Sequence, residues 1–307
     1  MKIWSDINNF QKPKNAVVSI GTFDGVHVGH QKLIKNLRQI AGKTDGETVL
    51  VSFYPHPRMV LFPDDNELKI LNTEEEKAEL LEKFGIDHLI VIPFTKKFSR
   101  LTSLEFIRDI VSNKIGTKKL VIGYNHHFGR NREGGFKNLK ELGPVYGFEV
   151  KEISAIDVNN IEVSSTKIRE ALQKGNISKA NSYLGYEYSL SGKVVKGNQL
   201  GKELGYPTAN VEVHDKYKLV PADGIYAVAA VHDSVQYKGM MSIGFNPTVD
   251  GKKRTIEVNI FDFDKDIYGQ ELRVSFREWL RKEKKFSDLE KLKKQLAADK
   301  QATLKLF

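Results

Sequence analysis

The chain has 307 residues, which is about twice a typical ~150-residue domain and predicts two domains. Hydrophobic residues make up 40% and charged residues 28%, a composition that excludes a fibrous or largely disordered chain. The absence of cysteine excludes disulfides, thiolate zinc sites and cysteine nucleophiles. Since the sequence has neither a long apolar run nor a signal-peptide pattern, we expect a cytoplasmic protein with no membrane partner.

The net charge of +9 comes from 48 basic and 39 acidic residues and suits a polyanionic partner such as a nucleotide or a nucleic acid. Residues 271–307 hold eleven Lys and Arg against six Asp and Glu, so five of the nine charges fall there. Such a run is typical of one solvated helix face. We therefore expect no nucleic-acid partner, and a basic nucleic-acid-binding protein remains the alternative from another class.

The first half alternates short apolar runs with segments of helical period, which predicts a mostly parallel sheet with flanking helices. Strands are predicted at 16–21, 48–53, 88–92 and 119–123. Helices are predicted at 29–41, at 73–84 and after Thr102, the last two opening with the capping boxes Thr73/Glu76 and Thr102/Glu105. A further helix follows Ser165 and ends at Gly175.

Near residue 186 the pattern changes to strand after strand, which predicts domains at 1–186 and 187–307. Gly, Asn and Asp turns separate the predicted strands 188–196, 224–232, 237–245, 254–261 and 272–279. This spacing indicates a small antiparallel barrel. A C-terminal helix is predicted at 287–300, capped by Ser287 with Glu290, with an apolar face formed by Leu289, Leu292 and Leu296.

The first candidate site is the loop between the first strand and the first helix, Gly21-Thr22-Phe23-Asp24-Gly25-Val26-His27-Val28-Gly29-His30. Ligands bind at the carboxyl edge of an open parallel sheet, and a helix N-terminus favours phosphate. Two imidazoles three residues apart can face a triphosphate and stabilise charge in the transition state. A histidine pair at this spacing is more often structural, but its place in a Gly-flanked loop favours a functional role.

The loop resembles the His-x-Gly-His signature of nucleotidyltransferases, which transfer an adenylyl group by direct attack on the α-phosphate of ATP. A second stretch, Val163-Ser164-Ser165-Thr166-Lys167-Ile168-Arg169, is similar to the Ile-Ser-Ser-Thr-x-Ile-Arg stretch on the far side of the triphosphate in these enzymes. Hydroxyls and N–H groups at a helix start, with Arg169 one turn later, suit a pyrophosphate. A plain helix N-cap is the structural alternative.

The string from Gly21 to His27 narrows the resemblance to the FMN adenylyltransferase half of prokaryotic bifunctional riboflavin kinase/FAD synthetases. Residues 53–57 and 122–129 agree, although His126 stands where that family usually has an aromatic residue. The resemblance implies a Rossmann-like nucleotidyltransferase domain with catalytic His27 and His30 and with flavin contacts at His56 and Phe128. It also implies ATP or phosphate contacts at Gly21, Phe23, Asp24, Gly25, Gly29, Asn125, Ser165, Thr166 and Arg169.

The second candidate site is a Gly-rich segment with Gly197, Gly201 and Gly205, followed by Tyr206-Pro207-Thr208-Ala209-Asn210. Flexible backbone beside a Thr hydroxyl and an Asn amide oxygen suits Mg²⁺ and a phosphate, since Mg²⁺ prefers oxygen ligands. A generic Gly-rich hairpin is the alternative. The run 204–211 resembles the riboflavin kinase signature, which implies that Thr208 and Asn210 are metal ligands.

Glu257 lies in a predicted strand on the face opposite its apolar neighbours, a position that is usually a solvent face. Its surroundings resemble the kinase family, in which this Glu is the general base that takes the proton of the riboflavin 5′-hydroxyl. That family more often has His at the position of Asn259. Arg277 and Arg281 are candidates for the flavin site, with surface charge as the alternative.

Together these resemblances cover nearly the whole chain and imply a bifunctional enzyme. Its barrel would phosphorylate riboflavin to FMN, and its first domain would adenylylate FMN to FAD and release pyrophosphate, with ATP as co-substrate and Mg²⁺ as cofactor. The FMN phosphate would attack the α-phosphate in line, without a covalent enzyme intermediate. A nucleotidyltransferase for another phosphorylated substrate, with a barrel that only senses flavin, is the alternative among enzymes.

Overall fold

The computed structural model describes residues 1–64, 68–123, 127–153, 157–158, 161–197, 201, 204–248 and 251–307. Asn125 and His126 lie outside these described residues. Contacts divide the chain into two compact units, Met1–Ser165 and Thr166–Phe307. The predicted fold class, a parallel α/β domain followed by an antiparallel barrel with a C-terminal helix, is confirmed. The predicted domain boundary at residue 186 stays a prediction.

A six-stranded parallel sheet in the order β1-β4-β3-β2-β5-β6 forms the first unit. Its strands are β1 (Lys2–Trp4), β2 (Ala16–Ile20), β3 (Glu47–Tyr54), β4 (His88–Pro93), β5 (Thr117–Gly123) and β6 (Glu149–Ile153). Its helices are α1 (Val28–Lys43), α2 (Pro57–Leu61), α3 (Glu74–Lys83), α4 (Ser103–Glu105, continued by a π-helix at Phe106–Lys114) and α5 (Phe136–Val145). A short ribbon follows, formed by β7 (Asp157–Val158) and β8 (Ile161–Glu162).

The sheet is covered on both faces, because alternate residues of β2 belong to two different apolar clusters. Ala16, Val18 and Ile20 pack in one cluster and Val17 in the other. The chain order of the strands reverses at β2, which has β3 on one side and β5 on the other. Ligands of such sheets bind at the carboxyl ends of the strands at this reversal. The fold therefore places the loop after β2 at the expected binding edge.

The capping boxes predicted at Thr73 and Thr102 are confirmed, each with both reciprocal hydrogen bonds. The cap predicted at Ser287 is wrong, because the carboxylate of Asp288 accepts the Lys291 N–H and the helix begins at Leu289. Asp and Ser are equally good N-caps, so the sequence did not distinguish neighbouring positions. The predicted apolar face is also wrong at Leu289, which is exposed.

A closed barrel in the order β10-β13-β12-β11-β14-β9 forms most of the second unit. Its strands are β9 (Ser189–Val195), β10 (Ala209–Val213), β11 (Gly224–His232), β12 (Val235–Thr248), β13 (Gly251–Ile260) and β14 (Glu271–Arg281). The helices of this unit are α6 (Ser165–Gln173), whose first residue belongs to the first unit, α7 (Ile177–Leu184) and α8 (Leu289–Leu304). Strand β10 was not predicted, because it is short and follows the Gly-rich segment.

Helices α6 and α7 are hydrogen-bonded to residues of the second unit that lie in or next to the barrel. The Ala222 N–H donates to the Leu172 carbonyl of α6 at 3.0 Å. The Asn181 side chain of α7 donates to the Phe276 carbonyl and accepts from the Tyr188 N–H. These bonds explain why both helices group with the barrel although they precede it in the chain.

Candidate functional site

The loop between β2 and α1 has an unusual backbone. Phe23, Gly25 and Val26 all have positive φ, at 49°, 84° and 32°. This region is natural for Gly but costly for a residue with a Cβ, above all for a β-branched one. Phe23 and Val26 are nevertheless fully buried and pack in the core on one face of the sheet. Burial of these two side chains offsets part of the backbone cost and holds the loop in one conformation.

Asp24 fixes this loop to two other parts of the first unit. Its side chain is 4% exposed, and its Oδ1 accepts the N–H groups of Leu71 at 2.8 Å and Asn72 at 3.3 Å. Its main-chain carbonyl accepts the hydroxyl of Ser165 at 2.8 Å. Asp24 was predicted as a phosphate contact, and the observed bonds give it a structural role in the loop. They also join the two motifs that suggested nucleotidyl transfer.

The two histidines meet at the start of α1. Their rings stack at 3.7 Å with an angle of 17° between the planes, and the ring of Phe23 lies 5.0 Å from that of His30. His27 occupies the N-cap position of α1, but its side chain makes no capping bond. A Cβ at Gly29 would lie 3.2 Å from the His27 ring, so glycine leaves room for the stacked pair.

His30 is held in its neutral form. Its pKa is lowered well below the usual 6.5, first by burial, then by His27 and then by Lys77. Its Nδ1 is buried and has no hydrogen-bond partner within the described part of the chain. A neutral imidazole offers one donor and one acceptor. The pair therefore presents hydrogen-bonding groups that a polyanion could engage.

The remaining predicted residues of the first site lie in varied surroundings. Gly21 is close to the Phe23 ring, Thr166 is exposed and Arg169 is half-buried on α6. His56 caps α2 by accepting the Arg58 N–H on its Nδ1 at 3.2 Å. Phe128 is 8% exposed and contacts Phe106 in the core. The structure thus brings together His27, His30, Asp24 and Ser165.

The second candidate site forms where β10, β13 and β12 run side by side. Asn210 of β10 and Ser242 of β12 are the cross-strand neighbours of Glu257 in β13. The Thr208 hydroxyl donates to Glu257 Oε2 at 3.2 Å. The predicted residues Thr208, Asn210 and Glu257 are therefore brought together, although almost fifty positions separate them in the chain.

The Gly-rich segment allows close approach to these groups. A Cβ at Gly197 would overlap the side-chain amide of Asn210, and one at Gly201 would overlap the Tyr206 carbonyl. Gly205 has a φ of 80°, which glycine adopts without strain. Asn259 stands where the kinase family more often has His. Its side-chain amide donates to the Pro207 carbonyl at 2.7 Å and so holds the segment before Thr208.

Thr208, Asn210 and Glu257 offer a hydroxyl, an amide and a carboxylate oxygen on adjacent strands. These are hard oxygen donors of the kind that Mg²⁺ prefers, and ligation by Thr208 and Asn210 would leave positions for phosphate oxygens and leave the Glu257 carboxylate beside the ion. The donor set therefore fits a Mg²⁺ ion that is shared with a nucleotide.

Two charged residues near the sites were missed in the sequence. Glu283, on the segment after β14, accepts the Ser242 hydroxyl at 3.1 Å and lies over Gly244, where a Cβ would overlap its carboxylate. Lys77 of α3 is 4% exposed and lies beside the first loop. Neither belongs to a motif with fixed spacing, so no signal in the sequence could have identified them.

The two arginines considered for the flavin site are engaged in ion pairs. Arg277 pairs with Glu187 at 3.0 Å and lies 4.6 Å from the centre of the Phe307 ring. Arg281 makes hydrogen bonds through Nε and Nη2 to Asp299 of α8, the shortest at 2.6 Å. Asp299 is 4% exposed, so this pair attaches α8 to β14.

Comparison with known families matches residues 9–167 to the FAD synthetase family and residues 184–307 to the riboflavin kinase family. Several similar proteins are named bifunctional riboflavin kinase/FMN adenylyltransferase. The one from Buchnera aphidicola subsp. Schizaphis graminum is 38% identical and covers 100% of this chain and 99% of its own. Those from Listeria monocytogenes and Escherichia coli strain K12 are 37% and 34% identical, covering 99% and 100% of this chain and 94% and 98% of their own.

A solved structure titled macrolide-efflux protein, from Streptococcus pneumoniae, has a TM-score of 0.89 and 32% identity, and the match covers 98% of this chain and 97% of that one. Its title differs from the names of the other relatives, which agree with both family matches. Among the described helices of this chain, none is long and apolar enough to cross a membrane. The two family matches account for both halves of the chain.

The lowered pKa of His30 leads to a test by NMR. In the protein without nucleotide, we expect the His30 ring to titrate below pH 6.5, with burial as the main cause. Between the lowered pKa and about 6.5 the unfolded chain binds more protons. The stability contribution of His30 is therefore complete above about pH 6.5 and is lost as the pH falls toward the folded-state pKa.

The variant His30→Gln lacks the His30 resonance and so identifies it in the spectrum. The same variant should lose less stability in mild acid than the unmodified protein. Denaturant unfolding of both proteins at several pH values measures that loss. Titration of His30 at or above pH 6.5 would contradict the account.

Proposed function

The chain belongs to the family of bifunctional riboflavin kinases/FMN adenylyltransferases, and we propose that each of its domains carries one of the two active sites at the residues described above. The enzyme phosphorylates riboflavin to FMN in its C-terminal half and adenylylates FMN to FAD in its N-terminal half. We place the boundary between these domains near residue 186, a choice that the start of the riboflavin kinase match at residue 184 supports.

We propose that the loop after β2 binds ATP in FMN adenylylation. A phosphate oxygen of FMN attacks the α-phosphorus of ATP, the bond to the β-phosphate oxygen breaks, and pyrophosphate leaves. His27 and His30 donate hydrogen bonds to the charge that grows on the phosphates. The observation that carries this role is the stacked pair at the N-terminus of α1, where the helix dipole also favours an anion.

Ser165 belongs to this proposed site, and its bond to the Asp24 carbonyl supports a common site for the two motifs. The phosphate contacts of Thr166 and Arg169, which lie in the second unit, stay predictions. A guanidinium group such as that of Arg169 is suited to a leaving pyrophosphate. Gly25 and Gly29 give the nucleotide access to the backbone of the loop. Asn125 remains a proposed contact outside the described residues.

For riboflavin phosphorylation, we propose Glu257 as the general base. Its carboxylate takes the proton of the 5′-hydroxyl while that oxygen attacks the γ-phosphorus of ATP and ADP leaves. The hydroxyl of Thr208 holds one oxygen of the carboxylate, which orients it. Gly197, Gly201 and Gly205 leave room for the phosphates beside this strand pair.

Thr208 and Asn210 are the proposed Mg²⁺ ligands, with Glu257 next to them. When bound, the ion would neutralise charge on the transferred phosphate. The chain itself contributes the hydroxyl of Thr208 and the amide oxygen of Asn210. The cytoplasmic location, the absence of a nucleic-acid partner and the flavin contacts of His56, Phe128, Arg277 and Arg281 stay predictions.

The two-site proposal predicts that the activities can be lost separately. His30→Ala should lower FAD formation from FMN by about 10²–10³-fold, because a donor to the developing charge is lost. The same variant should phosphorylate riboflavin at the normal rate. Chromatography of the flavin products measures both reactions, and Lys35→Ala, an exposed position on α1, is the matched control.

Glu257→Gln should have the opposite effect. It removes the base but keeps the shape, so riboflavin phosphorylation should fall by about 10²–10⁴-fold while supplied FMN is still adenylylated. Glu212→Gln, an exposed carboxamide substitution on the neighbouring β10, is its control. Loss of both reactions in either folded variant would refute the assignment of separate sites.

The proposed metal ligands predict a change in Mg²⁺ requirement. Thr208→Val removes a hydroxyl at nearly constant volume, and the Mg²⁺ concentration for half-maximal riboflavin phosphorylation should rise by at least about tenfold. FMN adenylylation by the same protein should keep its Mg²⁺ dependence and serves as the internal control. An unchanged Mg²⁺ titration of the kinase reaction would contradict the ligand role of Thr208.

A further inference from the structure

The ammonium group of Lys77 is buried, although no motif accounts for it. Its Nζ donates to Glu74 Oε1 at 2.7 Å, to the hydroxyl of Ser52 at 3.0 Å and to the carbonyl of Thr22 at 3.4 Å. A buried charge is costly unless it is fully hydrogen-bonded. An ammonium group has three donors, and here each has an acceptor.

These three acceptors belong to different segments of the first unit. Glu74 lies on α3, Ser52 on β3, and Thr22 in the loop after β2. The hydroxyl of Ser52 also donates to the Thr22 carbonyl, at 3.4 Å. Lys77 therefore joins the helix, the neighbouring strand and the loop through one charge.

Lys77 and the two residues that bind the Asp24 carboxylate belong to the same stretch of chain, and all three donate hydrogen bonds to the loop. The N–H groups of Leu71 and Asn72 bind the Asp24 carboxylate, and Lys77 binds the Thr22 carbonyl two residues earlier in the loop. Phe23, with its φ of 49°, lies between these two attachment points. Residues 71–77 thus hold the loop on both sides of a residue whose backbone conformation is unfavourable.

The charge of Lys77 also acts on the histidine pair. It lowers the pKa of His30, after burial and the contribution of His27. The groups that lower this pKa through their charge are His27, at the start of α1, and Lys77 on α3. Lys77 is the group among them that contributes both a bond to the loop and a fixed positive charge.

A purely structural role would not require a charge. Buried ion pairs are often replaced by apolar side chains of similar volume without loss of stability. Methionine fits the path of a lysine side chain and would fill the same space. The ammonium group donates instead to the loop that leads to the proposed catalytic histidines, which points to a role in the reaction.

We propose that Lys77 is a positioning residue for FMN adenylylation: its ammonium group fixes the Thr22 carbonyl, and with it the loop that places His27 and His30 against the phosphates of ATP. This inference rests on the proposed site at the histidine pair. It assigns a role in adenylylation to a residue of α3 that acts through the loop.

The test compares Lys77→Met, Lys77→Arg and Lys77→Gln in the full-length protein. We expect Lys77→Met to lower kcat for FAD formation from FMN by at least about tenfold, since small displacements of catalytic groups are costly. The KM for ATP should change less than kcat, because the lost interaction matters most in the transition state. Lys77→Arg restores a cationic donor and should recover part of kcat, whereas Lys77→Gln should not.

The matched control is Lys83→Met, an exposed lysine on the same helix, which should stay within about twofold of the unmodified protein. Riboflavin phosphorylation should be unchanged in every variant. NMR titration of Lys77→Met should show a raised His30 pKa, a readout that packing alone would not move. A cooperative unfolding transition of the first unit establishes that each variant is folded.

The proposal is overturned if folded Lys77→Met forms FAD at the normal rate with an unchanged His30 pKa. It is also overturned if neither Lys77→Met nor Lys77→Gln folds, since the role would then be in folding alone. Normal FAD formation by His30→Ala would instead refute the proposed site itself. The two failures are therefore distinguished within one set of proteins.

Discussion

The proposed adenylylation site depends on how one buried carboxylate holds a loop with an unfavourable backbone. Asp24 binds two main-chain N–H groups through its side chain and the Ser165 hydroxyl through its carbonyl. These bonds, with the burial of Phe23 and Val26, stabilise a loop in which Phe23, Gly25 and Val26 have positive φ. The stacked histidines follow directly, so their position at the start of α1 is a consequence of the loop. The proposed role of this edge of the sheet therefore depends on the anchoring of the loop as well as on the histidines.

The barrel site is built on a different principle. Strand register places Asn210 and Ser242 on either side of Glu257, and regular hydrogen bonding between β10, β13 and β12 maintains that arrangement. In the proposed site the phosphates lie beside the glycines of the preceding segment, where side chains would collide with Asn210 or the backbone. One site therefore depends on an irregular loop held by polar anchors, and the other on a regular sheet with a permissive loop beside it.

The sequence predicted the two-domain α/β and barrel architecture because apolar periodicity and capping boxes are local signals, as Thr73 and Thr102 illustrate. It also predicted His27, His30, Thr208, Asn210 and Glu257 as site residues, since they fall in contiguous motifs. Strand β10 was missed because it is short and follows the Gly-rich segment, and the Asp288 cap was missed because the neighbouring Ser287 is an equivalent local choice. Lys77 and Glu283 reach the sites only through tertiary contacts, which no local pattern encodes.

The central claim, that one chain contains two separate active sites, is tested most directly by mixing two variants. His30→Ala and Glu257→Gln proteins are combined with riboflavin, ATP and Mg²⁺, and FAD is followed over time. The account predicts little FAD from either protein alone and FAD formation after a lag in the mixture, because FMN made by one protein is adenylylated by the other. A mixture that forms no FAD, although each protein retains its own half-reaction, would contradict the account.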